Sequence, residues 1–565
     1  MTPEQARLHL INTDPRFEVC ETEIRGARYR VFRNVPPHVC ALLWAAEKEY
    51  GDREVLIYRD ERWDYPAFCR DVKRMAEALA NQLGVRQGDH VALAMRNYPE
   101  LPILLLAVAA LGAVAVPLNA WSTEQELAYA LGDCGAKVVF ADGPRYERIL
   151  PSVERLGLRL VAVREAEAQA ALTYTALRAS AAGERWPDVE IAPDDDFAVL
   201  YSSGSTGNPK GVVLTHRGAI SAVYSWLFLR EMAPLLDNPP PPSTRPPASL
   251  IITPLFHVTA LHSNFLQGLI TGTKMALMHR WDAEEAVRII EAEQITRFLG
   301  VPTQSADLME TARRLGVRLE SLEQIGAGGA KRPAAQVGQL AQVFPAASIG
   351  SGWGMTETNA LGITISGPEY VANPEAAGRL TPPLQDMRIV DDEGNDVPVG
   401  QVGELIVKSP ANMRCYLNRP EDTAQALRDG WLYTGDLARM DEQGLVYIVD
   451  RKKTIIIRGG ENISCLEVEG ALHRHPAVAE ACVFPVPDAR LGEVVGAGVT
   501  LKPGARASEQ ELKEFLAQHI AHFKIPERIW FWPEPLPRGA TGKLDRRTLR
   551  NQCLSGAGSG APQQA

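Results

Sequence analysis

A chain of 565 residues is too long for one hydrophobic core and implies about two to four domains or subdomains. With 45% apolar and 23% charged residues, the composition is that of a soluble globular protein. The net charge of −10 argues against a nucleic-acid partner, and the local pair Arg546-Arg547 reads as a solvated helix face. Eight cysteines occur with no C-x-x-C pair, which excludes the usual zinc and dithiol motifs. Free buried thiols in a reducing, cytoplasmic setting are expected, and the first residues lack a signal-peptide core.

From about residue 40 to 140, strands and helices alternate. Residues 67–83 have helical spacing and stop at Gly84, and 90–95 form a strand. Residues 101–118 are apolar almost throughout. Pro102 and Pro117 bracket them, Gly112 interrupts them and no basic cluster flanks them, so a buried helix running into a strand at 113–117 is expected rather than a membrane span. A helix at 124–131 and a strand at 137–140 follow. Such alternation predicts parallel sheets covered by helices.

Residues 144–187 are more polar and read as peripheral. Six prolines in 238–247 make a stiff surface loop. A strand at 249–253, a helix at 282–293, a strand at 297–300 and a glycine turn at 326–329 come next. Residues 385–449 carry short β runs between turns and read as a small antiparallel subdomain. The charged stretch Asp450-Arg451-Lys452-Lys453 separates it from a last unit with helices at 465–473 and 508–519 and strands at 479–486 and 496–501. The organisation is therefore α/β: an N-terminal domain over 1–450 including the β subdomain, a hinge at 451–453, a small mobile α+β domain over 454–552, and a disordered tail at 553–565.

The chemistry-bearing residues start with Tyr201-Ser-Ser-Gly204-Ser-Thr206-Gly207-Asn-Pro-Lys210-Gly211, which follows the apolar run 197–200. Glycines let backbone N–H groups curl round an anion, and hydroxyls and an ammonium add donors, so the loop is suited to phosphate. It is not a Walker loop, because no Ser or Thr follows Lys210. Four further segments accompany it. Gly352-Trp353-Gly354-Met355-Thr356-Glu357-Thr358 places an acid after a hydroxyl, and a carboxylate near a triphosphate usually holds magnesium. Tyr433-Thr-Gly-Asp436 offers a carboxylate at the end of a turn for two ribose hydroxyls. Arg451 lies beside the hinge, and Pro537-Arg-Gly-Ala-Thr541-Gly542-Lys543 sets a lysine in a glycine-bearing turn.

In that order the five segments resemble the adenylate-forming superfamily of acyl-CoA synthetases, luciferases and peptide-synthetase adenylation domains, over roughly residues 35 to 552. The resemblance implies that a carboxylate attacks the α-phosphate of ATP, pyrophosphate leaves, and the thiol of coenzyme A then displaces AMP from acyl-AMP. It implies that Ser202, Ser203, Gly204, Ser205, Thr206 and Lys210 wrap the β- and γ-phosphates, with Thr206 near the metal. Thr356 contacts the α-phosphate and Glu357 holds Mg²⁺. Gly328, Gly329, Ala330, Gly352, Trp353 and Gly354 form the adenine slot. Asp436 takes the ribose, Arg451 supports it, and Lys543 bridges the attacking carboxylate and the α-phosphate. The resemblance also implies a swing of the C-terminal domain about Lys453, which replaces Lys543 by the loop at Gly459-Gly460 lining a pantetheine tunnel. His257, in Pro254-Leu-Phe-His257-Val, resembles the gate between acid pocket and tunnel.

Trp353 stands where tyrosine is usual, keeping the stacking face without the phenol. Ile457 stands where luciferases and plant coumarate ligases have lysine, which favours a bacterial acyl-CoA synthetase. His257-Val258 offers no aspartate for an amino acid's ammonium, and no carrier domain follows. Thr259, Ser263, Val301, Thr303, Gly328 and Trp353 are the candidate acid-pocket residues. They are mostly small and carry no cation, so a medium- or long-chain fatty acid is expected, with a hydroxycinnamate or benzoate as the alternative. A ligase loading fatty acyl-AMP onto a carrier protein fits less well. A non-catalytic nucleotide sensor would have lost Lys543, Glu357 or Asp436, and all are intact. The partners expected are the acid, ATP and coenzyme A, with peripheral membrane contact open and a monomer or homodimer both compatible.

Overall fold

The computed structural model describes residues 1–202, 209–243, 245–452, 454–458, 461–488, 490–539 and 543–555. Two large sheets form its body. In the seven-stranded sheet, the strands Asp196–Ser202, Val114–Pro117, His90–Ala94, Val138–Asp142 and Arg159–Val163 run parallel. Lys210–Thr215 and the short Cys415–Tyr416 extend it antiparallel. The nine-stranded sheet has a parallel centre from Glu54–Tyr58 through Lys274–Leu277, Ala248–Ile251, Arg297–Gly300 and Gln324–Ala327 to Ser348–Trp353. Antiparallel strands close both of its edges.

Parallel strands buried on both faces read as continuous apolar runs, and these do: Val138–Asp142 is buried at every position. The apolar stretch that could be mistaken for a membrane span is the helix Glu100–Ala110 followed by Val114–Pro117, buried throughout in the core shared by both sheets. Among the described residues no helix is long and apolar enough to cross a membrane.

A smaller sheet holds Asp386–Val390, Gly403–Lys408, Trp431–Met440, Leu427–Arg428 and Val446–Arg451, all antiparallel, as short β runs between turns lead one to expect. The last sheet pairs Val478–Asp488 with Gly492–Leu501, and Arg528–Phe531 joins the latter in parallel. It has its own apolar core with the helices Cys465–His473 and Glu509–Ala517.

Three expectations need correction. Residues 144–187 are not wholly peripheral, since Arg159–Val163 forms the edge of the seven-stranded sheet. The final helix, Arg546–Leu554, runs past the expected start of the tail and buries Cys553, because its apolar side fills a cluster with Phe484 and Trp530. Arg546 is no solvated cation: it pairs with Glu469 at 2.7 Å and donates to the Val483 carbonyl.

The carboxyl end of the strand Val138–Asp142, next to the sheet edge, is held by one ion pair. Asp142 is fully buried, meets the Arg145 guanidinium at both oxygens and accepts from the Arg96 backbone N–H at 3.2 Å. Removing one partner of a buried pair strands the other charge, so Asp142→Ala should lower unfolding stability by about 3–5 kcal/mol. Urea denaturation measures this, and a midpoint unchanged from wild type would contradict it.

Candidate active site

Strand ends supply most of the site. The hairpin Asp196–Ser202 and Lys210–Thr215 brackets the phosphate-type loop, with Ser202 and Lys210 paired in register and the Ser202 hydroxyl donating to the Lys210 carbonyl at 3.3 Å. Ser203, Gly204, Ser205 and Thr206 lie outside the described residues, as do Lys453, Gly459 and Gly460. The Lys210 ammonium pairs with Asp422 at 2.7 Å and lies 5.0 Å from the centre of the Tyr416 ring. Tyr416 in turn donates to Glu357 Oε1 at 2.9 Å.

Glu357 sits in the single 3₁₀ turn Thr356–Thr358, just beyond the strand Ser348–Trp353. Its backbone carbonyl accepts from the Met413 N–H at 2.7 Å. Burial pushes its carboxyl above the usual range, while its own backbone N–H, Tyr416 and Arg451 pull it back.

Asp436 corrects the sequence reading. It lies not at the end of a turn but inside the ten-residue strand Trp431–Met440. Gly435, at φ +71°, supplies the turn-like signature within that strand. Asp436 faces Arg451 across the sheet, and the Arg451 Nε stands 2.9 Å from its Oδ1. Its Oδ2 accepts from the Trp353 indole at 2.7 Å. Trp353 therefore gives this carboxylate a donor in addition to offering a flat ring.

Lys543 reaches the site from the last unit. The loop that carries it is closed by the Gly539 N–H to the Lys543 carbonyl and by the Asp545 N–H to the Pro537 carbonyl, both at 2.8 Å. Its Cε stands 3.0 Å, and its Nζ 3.5 Å, from the place a β-carbon on Gly329 would take. Burial and the Arg451 guanidinium push its ammonium down to about 8, with Asp436 and Glu357 pulling it up. Burial and the Lys543 charge push His257 down to about 3, so that ring is neutral. Lys543, Gly329, Glu357, Asp436, Arg451 and His257 thus share one electrostatic environment.

Gly328 donates its N–H to the Gly300 carbonyl at 3.1 Å, at the carboxyl ends of two parallel strands. Gly329 and Ala330 beyond it are exposed, and Gly352, Gly354 and Thr356 are half-buried. A β-carbon on Gly328 would stand 3.3 Å from the Thr259 methyl, and Ser263 donates its hydroxyl to the Thr259 carbonyl at 2.6 Å.

Tyr416, Asp422 and Asp450 were not singled out from the sequence. Asp450 is buried and gathers the Arg451 N–H, the Thr454 and Ser464 hydroxyls and the Leu466 N–H at 2.5–3.3 Å. It ties the last strand of the small sheet to the start of the helix Cys465–His473. Its only signal was its place within the charged stretch at 450–453.

Glu357 is the one candidate metal ligand with described geometry, and no group of three or more His, Cys, Asp or Glu is poised to hold a metal among the described residues. A lone buried carboxylate suits magnesium, which is bound through one or two carboxylates plus substrate phosphates rather than by an all-protein cage.

Residues 43–417 match the AMP-binding enzyme family, and 467–543 match the AMP-binding enzyme C-terminal domain. A feruloyl-CoA synthase of an Amycolatopsis species is 34% identical over 490 residues, covering 86% of this chain and 93% of that one. A long-chain-fatty-acid–CoA ligase of Mycobacterium tuberculosis is 32% identical over 505 residues, covering 87% and 93%. The solved o-succinylbenzoate–coenzyme A synthetase of Bacillus subtilis, in complex with ATP and magnesium, superposes with a TM-score of 0.76 at 30% identity, covering 91% of this chain and 99% of that one.

The Lys543 ammonium gives a pH signature. Its folded pKa of about 8 lies below the ordinary 10.5, so the unfolded chain binds more protons between these values and stability rises with pH through that window. Lys543→Met should remove that rise. Urea unfolding of both proteins from pH 7 to 10.5 measures it, and parallel curves would count against the placement of Lys543.

Proposed function

From the premise that the chain belongs to the AMP-binding enzyme family and is an AMP-forming, ATP-dependent acid–CoA ligase, we propose that its acid is a medium- or long-chain fatty acid activated by the residues assembled above. The enzyme uses ATP, magnesium and coenzyme A.

The acid is suggested by one observation. Ser263 spends its hydrogen on the Thr259 carbonyl, and Thr259 turns its methyl to Gly328. At that point the wall presents a methyl, and none of the six candidate lining residues is charged. A site built to select a phenol would present a directed donor or acceptor, since such polar contacts give the largest discrimination. The second reading, a hydroxycinnamate, draws on the 34% identical feruloyl-CoA synthase.

In the first half-reaction the carboxylate attacks the α-phosphorus and the bond to pyrophosphate breaks. Positioning and charge neutralisation supply most of the acceleration in such phosphoryl chemistry. Lys543 holds the acid's carboxylate against the α-phosphate and Thr356 adds a hydroxyl there. Asp436 accepts the ribose hydroxyls, held in place by Trp353 and Arg451. The adenine slot is Gly328, Gly329, Ala330, Gly352, Trp353 and Gly354. The phosphate grip is Ser202 to Thr206 with Lys210, whose release from Asp422 is the local rearrangement that phosphate binding requires. Glu357, with Thr206 near it, would hold magnesium, which neutralises phosphate charge when bound. In the second half-reaction the thiolate of coenzyme A attacks the acyl carbon and AMP leaves. The C-terminal domain turns about Lys453, Gly459 and Gly460 line the thiol's path, and neutral His257 guards its end.

A panel of acids assayed for CoA-dependent AMP release tests the acid. Octanoate or palmitate should be turned over well, and strong turnover of coumarate with neither fatty acid would overturn that choice. Lys543→Ala should slow acyl-adenylate formation about 10²–10³-fold, as for loss of another preorganised donor, and leave thioester formation from supplied acyl-AMP nearly unchanged. Equal losses in both steps would contradict the role given to Lys543. Trp353→Phe keeps a flat ring but deletes a bond to a carboxylate worth about 1.5–3 kcal/mol, so the KM for ATP should rise about tenfold or more. An unchanged KM would make the Trp353–Asp436 bond irrelevant to nucleotide binding.

A further inference from the structure

The segment assigned to the acid and the turn assigned to the nucleotide meet inside the protein through two side chains that the chemistry above does not use. The helical segment starting at Val258, directly after His257, widens into a π-helical turn over Leu261–Leu266. Such turns are rare and are frequent at functional sites. Its Ser263 bonds to Thr259. Its neighbour His262 is wholly buried, its ring centre 6.2 Å from that of Phe197, and neither ring nitrogen has a hydrogen-bond partner.

The Asn359 amide lies within weak hydrogen-bonding reach of His262, short of the geometry of a full bond. Asn359 is also wholly buried, and its Oδ1 has no partner. Burial keeps the imidazole neutral, so one ring nitrogen always carries a proton to donate. Two complementary buried groups approach each other without a well-formed bond, which leaves part of their desolvation cost unrecovered. A small shift of the π-turn would satisfy both.

Asn359 is a junction. It directly follows the turn Thr356–Thr358 at φ +52°, and its Nδ2 donates to the Ala411 carbonyl at 2.7 Å. The same Nδ2 lies 2.7 Å from the place of a β-carbon on Gly218, in the helix His216–Met232 that leaves the phosphate-loop hairpin. Glu357 is two residues away and is held to Met413 in the same loop as Ala411.

We propose that His262 is a positioning residue that couples the two substrates: filling the acid pocket seats its ring N–H on the Asn359 Oδ1 and fixes the turn that carries Glu357. The proposal rests on the assignment of residues 257–263 to the acid and of Glu357 to the metal-bound nucleotide. Bound acid then tightens magnesium-ATP, and magnesium-ATP tightens the acid by the same factor.

The test is calorimetric binding of α,β-methylene-ATP with magnesium to the full-length protein, alone and with saturating octanoate or coumarate. For wild type, the acid should tighten the analogue by about 5- to 20-fold. His262→Leu should bind the analogue alone as wild type does but lose that gain. His262→Asn, which keeps a donor, should recover part of it. A wild-type gain below about twofold, or a full gain in His262→Leu, overturns the proposal. Glu357→Gln separates the two layers. Weakened magnesium-dependent binding in that variant supports the site assignment, while undiminished binding overturns the assignment and the proposal with it.

Discussion

The site depends on one carboxylate shared between strands. Asp436 holds the Trp353 indole on one oxygen and the Arg451 guanidinium on the other, and so locks the end of the nine-stranded sheet to two strands of the small sheet. A carboxylate offers about four lone-pair positions, and the single hydrogen bond from Trp353 leaves Oδ1 without a hydrogen-bond donor. The same geometry sets how Trp353 differs from a tyrosine. An indole N–H donates and cannot accept, so it supports a negative charge beside it and has no second role.

Parallel topology explains why so many candidates converge. In an open sheet of parallel strands the carboxyl ends lie on one edge, and ligands bind in the crevice outside those ends. Gly328 follows one such strand, Trp353 ends another, and His257 lies six residues beyond a third, Ala248–Ile251. Lys543 comes from the last unit, on a loop closed by its own backbone bonds.

Much of this was legible because the chemistry is written in local patterns. The glycine and hydroxyl loop at 202–210 needs its residues adjacent, and so does the run from Gly352 to Thr358. The buried stretch 101–118 was legible from its length and its prolines. Asp436 was misplaced because Gly435 gives a strand the look of a turn. Tyr416 and Asp422 were invisible for a different reason: they act only through partners 59 and 212 residues away in sequence, Glu357 and Lys210. Arg546 and Cys553 were given to solvent because a basic terminal helix shows its charge in sequence and hides its apolar face.

The electrostatics of the site are those of a machine completed by its substrates. Burial raises the Glu357 carboxyl and lowers the Lys543 ammonium, so the protein alone disfavours both charged forms. The two groups attract and partly offset this, but Arg451 favours one charge while opposing the other. A polyphosphate set between them changes the balance: its negative charge favours the ammonium, and the cation that accompanies it favours the carboxylate. Nucleotide and cation therefore each stabilise the protonation state that the other's partner needs. Charge selection and nucleotide binding are then one event in this site.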